Sequence, residues 1–453
     1  MAGSIDDIAA RLDRLPARVV WTYVALLSLG GFFEYYDLFF TGYIAPGLVE
    51  SHILTATTHG LFGTTGIASF VAAMFSGMFI GTAVFSFVAD RFGRRTIFTF
   101  SLLWYTAASI MMAFQHDVGG LNLWRFISGI GVGVELVTID SYLSELVPPN
   151  LRGRAFAVNQ TIQFCAVPSV ALLAWRLVPV SPLGLDGWRW VVLIGAAGAI
   201  LIWWIRLRIP ESPRWLAKHG RIADARRILD ALEAGVKAES DSPSAPPPEE
   251  PRGHFRDIWR PPYLRRTVML VIFNVAQTIG FYGFSNWVPT LLIKRGITVT
   301  NSLRYTFIIA IAAPFGPLLA ASFADKVERK WLINTAAVAI AIFGVLFGQA
   351  AAGPALILLG VLLTLSNNVM SFSFHAYQAE LYPTRIRASA VGIVYSWSRL
   401  SVVFSAFIIS FSLDRFGVSG VFALIAGSML GVALVIGLLG PRTRNLPLEE
   451  ISG

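Results

Sequence analysis

Among the charged residues inside long apolar runs of this 453-residue chain, four above all need a reason: Asp37, Arg125, Glu135 and Arg399. A charge at the centre of a membrane helix costs roughly 2.5–3.5 kcal/mol on insertion scales, so such residues mark paths for ions, protons or substrates. An aspartate facing an arginine can cycle a proton, because desolvation favours the neutral carboxyl and an approaching guanidinium favours the carboxylate. Asp37 lies about eight residues, ~12 Å, from the expected outer end of its helix, and Arg125 about six residues, ~9 Å, from the outer end of its own. The two are expected at similar depth. Glu34 precedes Asp37 by three residues and shares its helical face, either as a second proton carrier or as a partner for Arg125. Glu135 follows Gly129, Gly131 and Gly133, whose spacing allows close helix packing, and is expected to reach a central cavity or a water-filled path. Asp140 belongs nearer the cytoplasm. The proton-coupling set is therefore Asp37, Arg125, Glu34 and Glu135.

Arg399 stands in VYSWSRLS (Val394 to Ser401), ~18 Å from the expected inner end of its helix, which is near midplane. A guanidinium there can grip a carboxylate with two parallel N–H bonds; a permanent partner such as Glu34 or Glu135 is the alternative. Around it, the runs Ala276 to Thr290 and Asn367 to Glu380 offer aromatic and amide groups. Phe281, Tyr282, Trp287, Phe374, Tyr377 and Trp397 are expected for stacking. Gln277, Asn286, Asn367, Asn368, Gln160, Gln163 and His375 are expected to orient a ligand. His375 has a side chain able to titrate near neutral pH, and the reading as a hydrogen-bonded structural residue stands beside it.

The elements that must hold these groups are apolar helices. The chain is 55% hydrophobic and only 14% charged, against about 25% charged in soluble proteins. Twelve runs fit membrane helices, at 21–45, 62–89, 96–114, 119–143, 155–178, 188–207, 266–293, 302–324, 331–351, 354–379, 387–412 and 418–440. ADRFGRR (Ala89 to Arg95) and ELVPPNLRGR (Glu145 to Arg154) recur as ADKVERK (Ala324 to Lys330) and ELYPTRIRAS (Glu380 to Ser389), both displaced by 235 residues. One offset for two motifs means a duplicated half, and parallel halves in a membrane place a substrate site between them. Under that offset Asp37, Arg125, Glu135 and Arg399 fall on Ile272, Gly360, Met370 and Phe164, so the duplication did not copy these charges. The expected fold is an all-α membrane protein of two pseudo-symmetric six-helix bundles. Its divisions are 1–207, a linker at 208–262 with short basic helices and the Ser/Pro-rich stretch Ala238 to Arg252, and 263–453.

The net charge of +9 does not point to nucleic acid, because the 36 Lys and Arg concentrate in alternate loops. That bias places both termini in the cytoplasm. Cys165 is the sole cysteine, so no intrachain disulfide can form. No removable signal peptide is read at the N-terminus. No metal-ligand cluster, nucleotide loop or nucleophile–base motif is present, so neither an enzyme nor a cofactor is expected.

GTAVFSFVADRFGRR, RFISGIGVGVE, ELVPPNLRGR, PESPRW, ELYPTRIRAS and PRTRNLPLEEI occur in that order, and with them the chain resembles the sugar-porter-type branch of the major facilitator superfamily over nearly its full length. The resemblance implies a twelve-helix fold, alternating access, and an inner gate of ion pairs among Asp90, Arg94, Arg95, Glu145, Arg152, Arg154 and Glu211 and, in the second half, Asp325, Lys330, Glu380, Arg385 and Arg387. An acid at the Asp37 position facing the Arg125 position is associated in that family with proton coupling. The chain departs from sugar porters in having Ala276 and Tyr282 where a glutamine and an asparagine are usual, and Ser371, Phe372 and His375 where Gly-Pro and tryptophan are usual. Its first helix and Arg399 look most like bacterial niacin transporters and their organic-ion relatives. The implied function is proton-coupled import of a small organic acid, such as an aromatic carboxylate, across the inner membrane by a monomer whose partners are substrate, protons and lipid. A sugar or polyol porter, an organic-ion exporter and a transporter-like nutrient sensor are the alternatives.

Overall fold

The computed structural model describes residues 2–54, 66–92, 94–206, 210–233, 258–261, 263–323, 326–382 and 384–443. Among them there are helices and no strands. In chain order these are α1 (Ala2–Asp13), α2 (Ala17–Glu50), α3 (Gly66–Phe92), α4 (Arg94–Ala113), α5 (Val118–Leu146), α6 (Pro149–Phe164), α7 (Ala166–Leu177), α8 (Gly187–Arg206), α9 (Pro213–Lys218) and α10 (Ile222–Glu233). The second half comprises α11 (Tyr263–Ser285), α12 (Val288–Lys294), α13 (Val299–Ala310), α14 (Phe315–Phe323), α15 (Arg329–Gln349), α16 (Pro354–Glu380) and α17 (Thr384–Leu439).

Eight stretches among the described residues are long and apolar enough to cross a membrane, and the last of them is broken at Gly417, whose φ of 65° suits glycine. With α2, α5 and α8 they account for the twelve expected spans. Three spans read as single runs are pairs of helices: α6–α7, α11–α12 and α13–α14. The cause is one residue type at one spacing. Phe164, Ser285 and Ala310 end the first helix of each pair, and Pro168, Pro289 and Pro314 follow each of them by four residues. A proline ring has no N–H to give and collides with the carbonyl four residues back.

Glycines let the charged helices pack closely. A Cβ on Gly77, Gly81, Gly129 or Gly133 would meet the facing backbone of α5 or α3 at 2.1–2.4 Å, so the two helices touch main chain to main chain. Gly131 likewise makes room for Trp104 and Tyr105 of α4. The glycine run in α5 is thus a packing device, and it locks Arg125 between neighbours.

One face of the molecule carries α1, α9 and α10, and is called the basic face here. There Ile8 and Leu12 pack with Leu216, Leu229, Leu232, Tyr142 and Leu143. Arg11 donates to both carboxylate oxygens of Glu233, at 3.0 and 2.7 Å, and to Asp230 at 2.6 Å, which hold its guanidinium above the ordinary pKa. At the opposite face two arginines close helix ends. Arg189 donates to the carbonyls of Ala113 and Gln115 after α4, and Arg295 to those of Phe347, Gly348 and Ala350 after α15. These cations cap carbonyl ends, which explains their presence on the less basic side.

Candidate functional site

Asp37 and Arg125 meet inside the first half. Arg125 Nη1 donates to Asp37 Oδ2 at 2.8 Å, and its Nη2 donates to the Asp37 carbonyl at 2.6 Å and to Thr41. Ser109 of α4 donates to Asp37 Oδ1 at 2.6 Å and Ser128 of α5 to Oδ2 at 3.2 Å. The guanidinium lies 4.2 Å from the centre of the Phe40 ring. Arg125 is wholly buried and Asp37 is 4% exposed. Glu34 is buried one turn away on α2, and Glu135 is buried ten residues along α5 from Arg125, ~15 Å along the axis. Glu135 is therefore separate from the Asp37–Arg125 group.

Arg399 lies on the other side of α2, between the halves. Its Nη1 donates to the Tyr282 hydroxyl at 2.7 Å and its Nη2 to the Tyr395 hydroxyl at 2.8 Å, with the Tyr395 ring 4.8 Å away. The residue is 2% exposed, and among the described residues no carboxylate pairs with it. Neither Glu34 nor Glu135 is its partner. The cavity beside it is lined by Tyr35, Leu38 and Phe39 of α2, Phe164 of α6, Gln277, Phe281 and Tyr282 of α11, Ser371 and His375 of α16, and Tyr395, Ser398 and Arg399 of α17. His375 Nδ1 lies 2.7 Å from the Ser371 carbonyl. That bond requires the proton on Nδ1, which leaves Nε2 as an acceptor in the neutral ring.

Phe39, Phe164 and Phe281 also line a second cavity, shared with Tyr43, Val288, Thr306 and Asn368 and nearer the opposite face. The three rings form a partition; Phe39 stands 6.4 Å from each of the other two. Each cavity measures about 30 Å³, room for only two or three waters at roughly 10–15 Å³ each. An organic molecule could therefore enter only if the halves separate. Towards the opposite face the halves are in contact: Trp175 stacks on Phe307 at 5.7 Å, Phe75 meets the Tyr282 ring edge-on at 4.7 Å, and a Cβ on Gly42 would stand 2.4 Å from the Asn286 carbonyl.

The expected ligand residues separate into those at this cavity and those elsewhere. Arg399, Tyr282, Gln277 and His375 are together. Asn368 lines the second cavity and donates to the Ala313 carbonyl at 2.9 Å. Asn286 and Trp287 are buried at the α11–α12 junction, where neither polar atom of the Asn286 side chain has a hydrogen-bond partner among the described residues. Gln163 is buried against Gly31, and Gln160 lies one turn earlier on α6. Tyr377 is near the basic face, donating to the Pro441 carbonyl at 2.8 Å. Trp397 is 40% exposed on the outer, apolar surface beside Phe404, so it faces away from Arg399. Tyr35, Phe39 and Phe164 were not expected at the site. Their signal in the sequence was the one-turn spacing of Tyr35 and Phe39 on the helix that bears Asp37.

Of the expected gate residues, Asp325 lies outside the described residues, as do the side chains of Asp90, Arg94, Arg385 and Arg387. Both Glu211 carboxylate oxygens accept from the Arg95 backbone N–H, at 3.1 and 3.2 Å, holding the chain after α8 to the start of α4. Lys330 donates to the Gly440 carbonyl at 2.8 Å. Glu380 pairs with Arg329, which was not among the expected gate residues although the repeat offset places it on Arg94. Glu145 and Arg152 are half-buried and Arg154 is exposed. These named contacts join segments within one half.

A family model described as "Sugar (and other) transporter" matches residues 23–453. The chain belongs to that family. This transporter is 32% identical over 96% of its length to a Bacillus subtilis protein named for metabolite transport, YyaJ, covering 96% of that protein. It is 29% identical to the niacin transporter NiaP of Acinetobacter baylyi, over 98% of this chain and 99% of that one. The solved D-xylose–proton symporter superposes with a TM-score of 0.73 at 21% identity, covering 94% of this chain and 98% of that one. The inward-open xylose transporter XylE of E. coli gives 0.75 at 20% identity, covering 95% and 99%. The fold is that of the major facilitator superfamily, and the relatives are membrane transporters, not enzymes.

Proposed function

We propose that this transporter imports a small aromatic carboxylate, with nicotinate the first compound to test, together with a proton. The observation that carries the reading is Arg399: a buried guanidinium bonded to two phenols, with no carboxylate partner among the described residues, at the edge of an aromatic cavity between the halves. A buried cation without a counter-ion is costly, and an anionic substrate supplies the missing charge. Arg399 binds the carboxylate, which takes the place of the Tyr282 hydroxyl on Nη1, and the Tyr395 hydroxyl stays beside it. Phe39, Phe164 and Phe281 pack on the ring, and the Nε2 acceptor of His375 and the Gln277 amide set its orientation. Support also comes from NiaP, a relative named for niacin transport.

Asp37 and Arg125 carry the coupling. While ionised, Asp37 holds Arg125 and, through its hydroxyl bonds, ties α2 to α4 and α5. Removing one partner from a buried pair costs about 3–5 kcal/mol. Protonating Asp37 weakens the tie by cancelling the carboxylate charge, so α2 can shift as the halves rock. α2 presents Tyr35 and Phe39 to the substrate cavity and Asp37 to Arg125, so one rigid helix reports both occupancies. Both termini and α1, α9 and α10 are in the cytoplasm by the positive-inside rule. The inner membrane is the location, as for the inner membrane metabolite transport protein YdjE of E. coli, 29% identical over 99% of this chain. The ion pairs at the basic face stiffen each half at the inner gate and, being individually weak, tolerate rearrangement in each cycle.

The test is uptake of labelled nicotinate into proteoliposomes acidified outside, with empty liposomes to subtract passive entry of the neutral acid. Accumulation that a protonophore abolishes is the expected result. Protein-dependent uptake of neutral sugars but not of nicotinate would overturn the substrate assignment.

A further inference from the structure

A second, smaller cavity lies behind α2, inside the first half. It is lined by Phe33, Tyr36, Asp37 and Phe40 of α2, Tyr105, Thr106 and Ser109 of α4, and Val192, Gly195 and Ala196 of α8. It shares no lining residue with the cavity at Arg399. Its volume is about 10 Å³, at the lower limit for a single water molecule, which also needs two to four polar partners.

The side chain that asks for such a water is Thr106. Several helix threonines of this protein satisfy their hydroxyls on the preceding turn: Thr99 on the Arg95 carbonyl at 2.8 Å, Thr161 on Ala157 at 2.8 Å and Thr306 on Ser302 at 2.7 Å. Thr106 is 3% exposed, yet its hydroxyl has no hydrogen-bond partner among the described residues. An unmade bond at a buried hydroxyl costs about 1–3 kcal/mol. Thr106 and Asp37 line the same small space.

We propose that this cavity binds one water, held by Thr106 and Asp37, and that this water delivers protons to Asp37 and removes them. The proposal rests on the reading of Asp37 as the coupling carboxylate. An excess proton reaching the water passes to Oδ1: its bond to the water oxygen breaks, the electron pair stays on that oxygen, and a new O–H bond cancels the carboxylate charge. Release runs in reverse. The groups facing Asp37 fit this role. Arg125 from α5 is the one cation bonded to it, Ser109 and Ser128 donate hydroxyls, and α4 adds Tyr105. α8 contributes only apolar wall, and on α2 itself Tyr36 is engaged by the Val191 carbonyl at 2.7 Å, with Glu34 one turn away. Proton and substrate thus reach α2 from opposite sides, and a bound carboxylate does not block the proton's path.

Thr106→Val keeps the shape and removes the hydroxyl; Ala196→Val fills the cavity from the other wall. In proteoliposomes both are expected to slow pH-driven nicotinate uptake roughly a hundredfold, the lower end for the loss of one positioned proton-transfer group. Counterflow at equal pH, which needs no net proton movement, should hold its rate, and Thr106→Ser should restore driven uptake. Driven uptake at the unmodified rate in Thr106→Val overturns the proposal, as does an equal loss of counterflow, which would make the effect structural. Uptake by the unmodified protein that ignores a protonophore would remove Asp37's coupling role and the proposal with it.

Discussion

Replacing Arg399 with glutamine leaves a polar side chain beside Tyr282 and Tyr395 and removes the one cation that lines the cavity. In the structure Nη1 and Nη2 each donate to a phenol, at 2.7 and 2.8 Å. A bound carboxylate takes two charge-assisted bonds and displaces at least one phenol. Hydrogen bonds to charged groups are worth about 1.5–3 kcal/mol each; the lower figure, chosen because a phenol bond is given up, makes ~3 kcal/mol for the pair. That is about a hundredfold in Kd for nicotinate. Nicotinamide has the same ring without the charge, and losing a neutral bond of about 1 kcal/mol predicts only about fivefold. Binding of both compounds to purified protein, by calorimetry or ligand-induced thermal shift, measures the ratio directly. Unfolding of the ligand-free variant separates a folding defect from lost recognition. Equal losses for the two compounds would falsify the anion-receptor role and leave Arg399 as a packing residue bonded to tyrosines.

Other substitutions probe the coupling and the closed face. Asp37→Asn should abolish accumulation against a gradient while counterflow persists; concentrative uptake by this variant would exclude Asp37 as the coupling carboxylate. Tyr282→Phe frees Nη1 from its competing phenol and keeps the ring against Phe75, so nicotinate should bind about fivefold tighter, corresponding to ~1 kcal/mol. Weaker binding would mean that the hydroxyl contacts the substrate more strongly than it competes. Gly42→Val places carbon where the Asn286 carbonyl now lies 2.4 Å from the built Cβ, so the opposite face should stay open. Faster maleimide labelling of Val288→Cys in a Cys165→Ser background is the readout, and unchanged labelling would show that α12 closes by another route.

The repeat offset, the alternation of basic loops and the apolar runs determined the twelve-helix duplicated fold without reference to any contact, because each is a property of the chain's order. Asp37, Arg125 and Arg399 were legible for a related reason: a charge in an apolar run conflicts with its surroundings wherever the helix ends up. The three helix breaks were legible too, in Pro168, Pro289 and Pro314, although apolar run length alone joined each pair.

Which aromatic groups share a cavity was decided only in three dimensions. Trp397 and Tyr395 are two residues apart on α17, so they lie on different faces, and the face that meets α11 and α2 is set by neighbours distant in sequence. Tyr377 and His375 diverge in the same way, one reaching Pro441 near the basic face and the other Ser371 beside the Arg399 cavity. Depth along a helix follows from counting residues, but rotation about its axis follows from packing. Thr106 shows the limit most plainly: its sequence context is that of other helical threonines, and only the packing of α2 and α8 against α4 sets it with Asp37 around one small cavity.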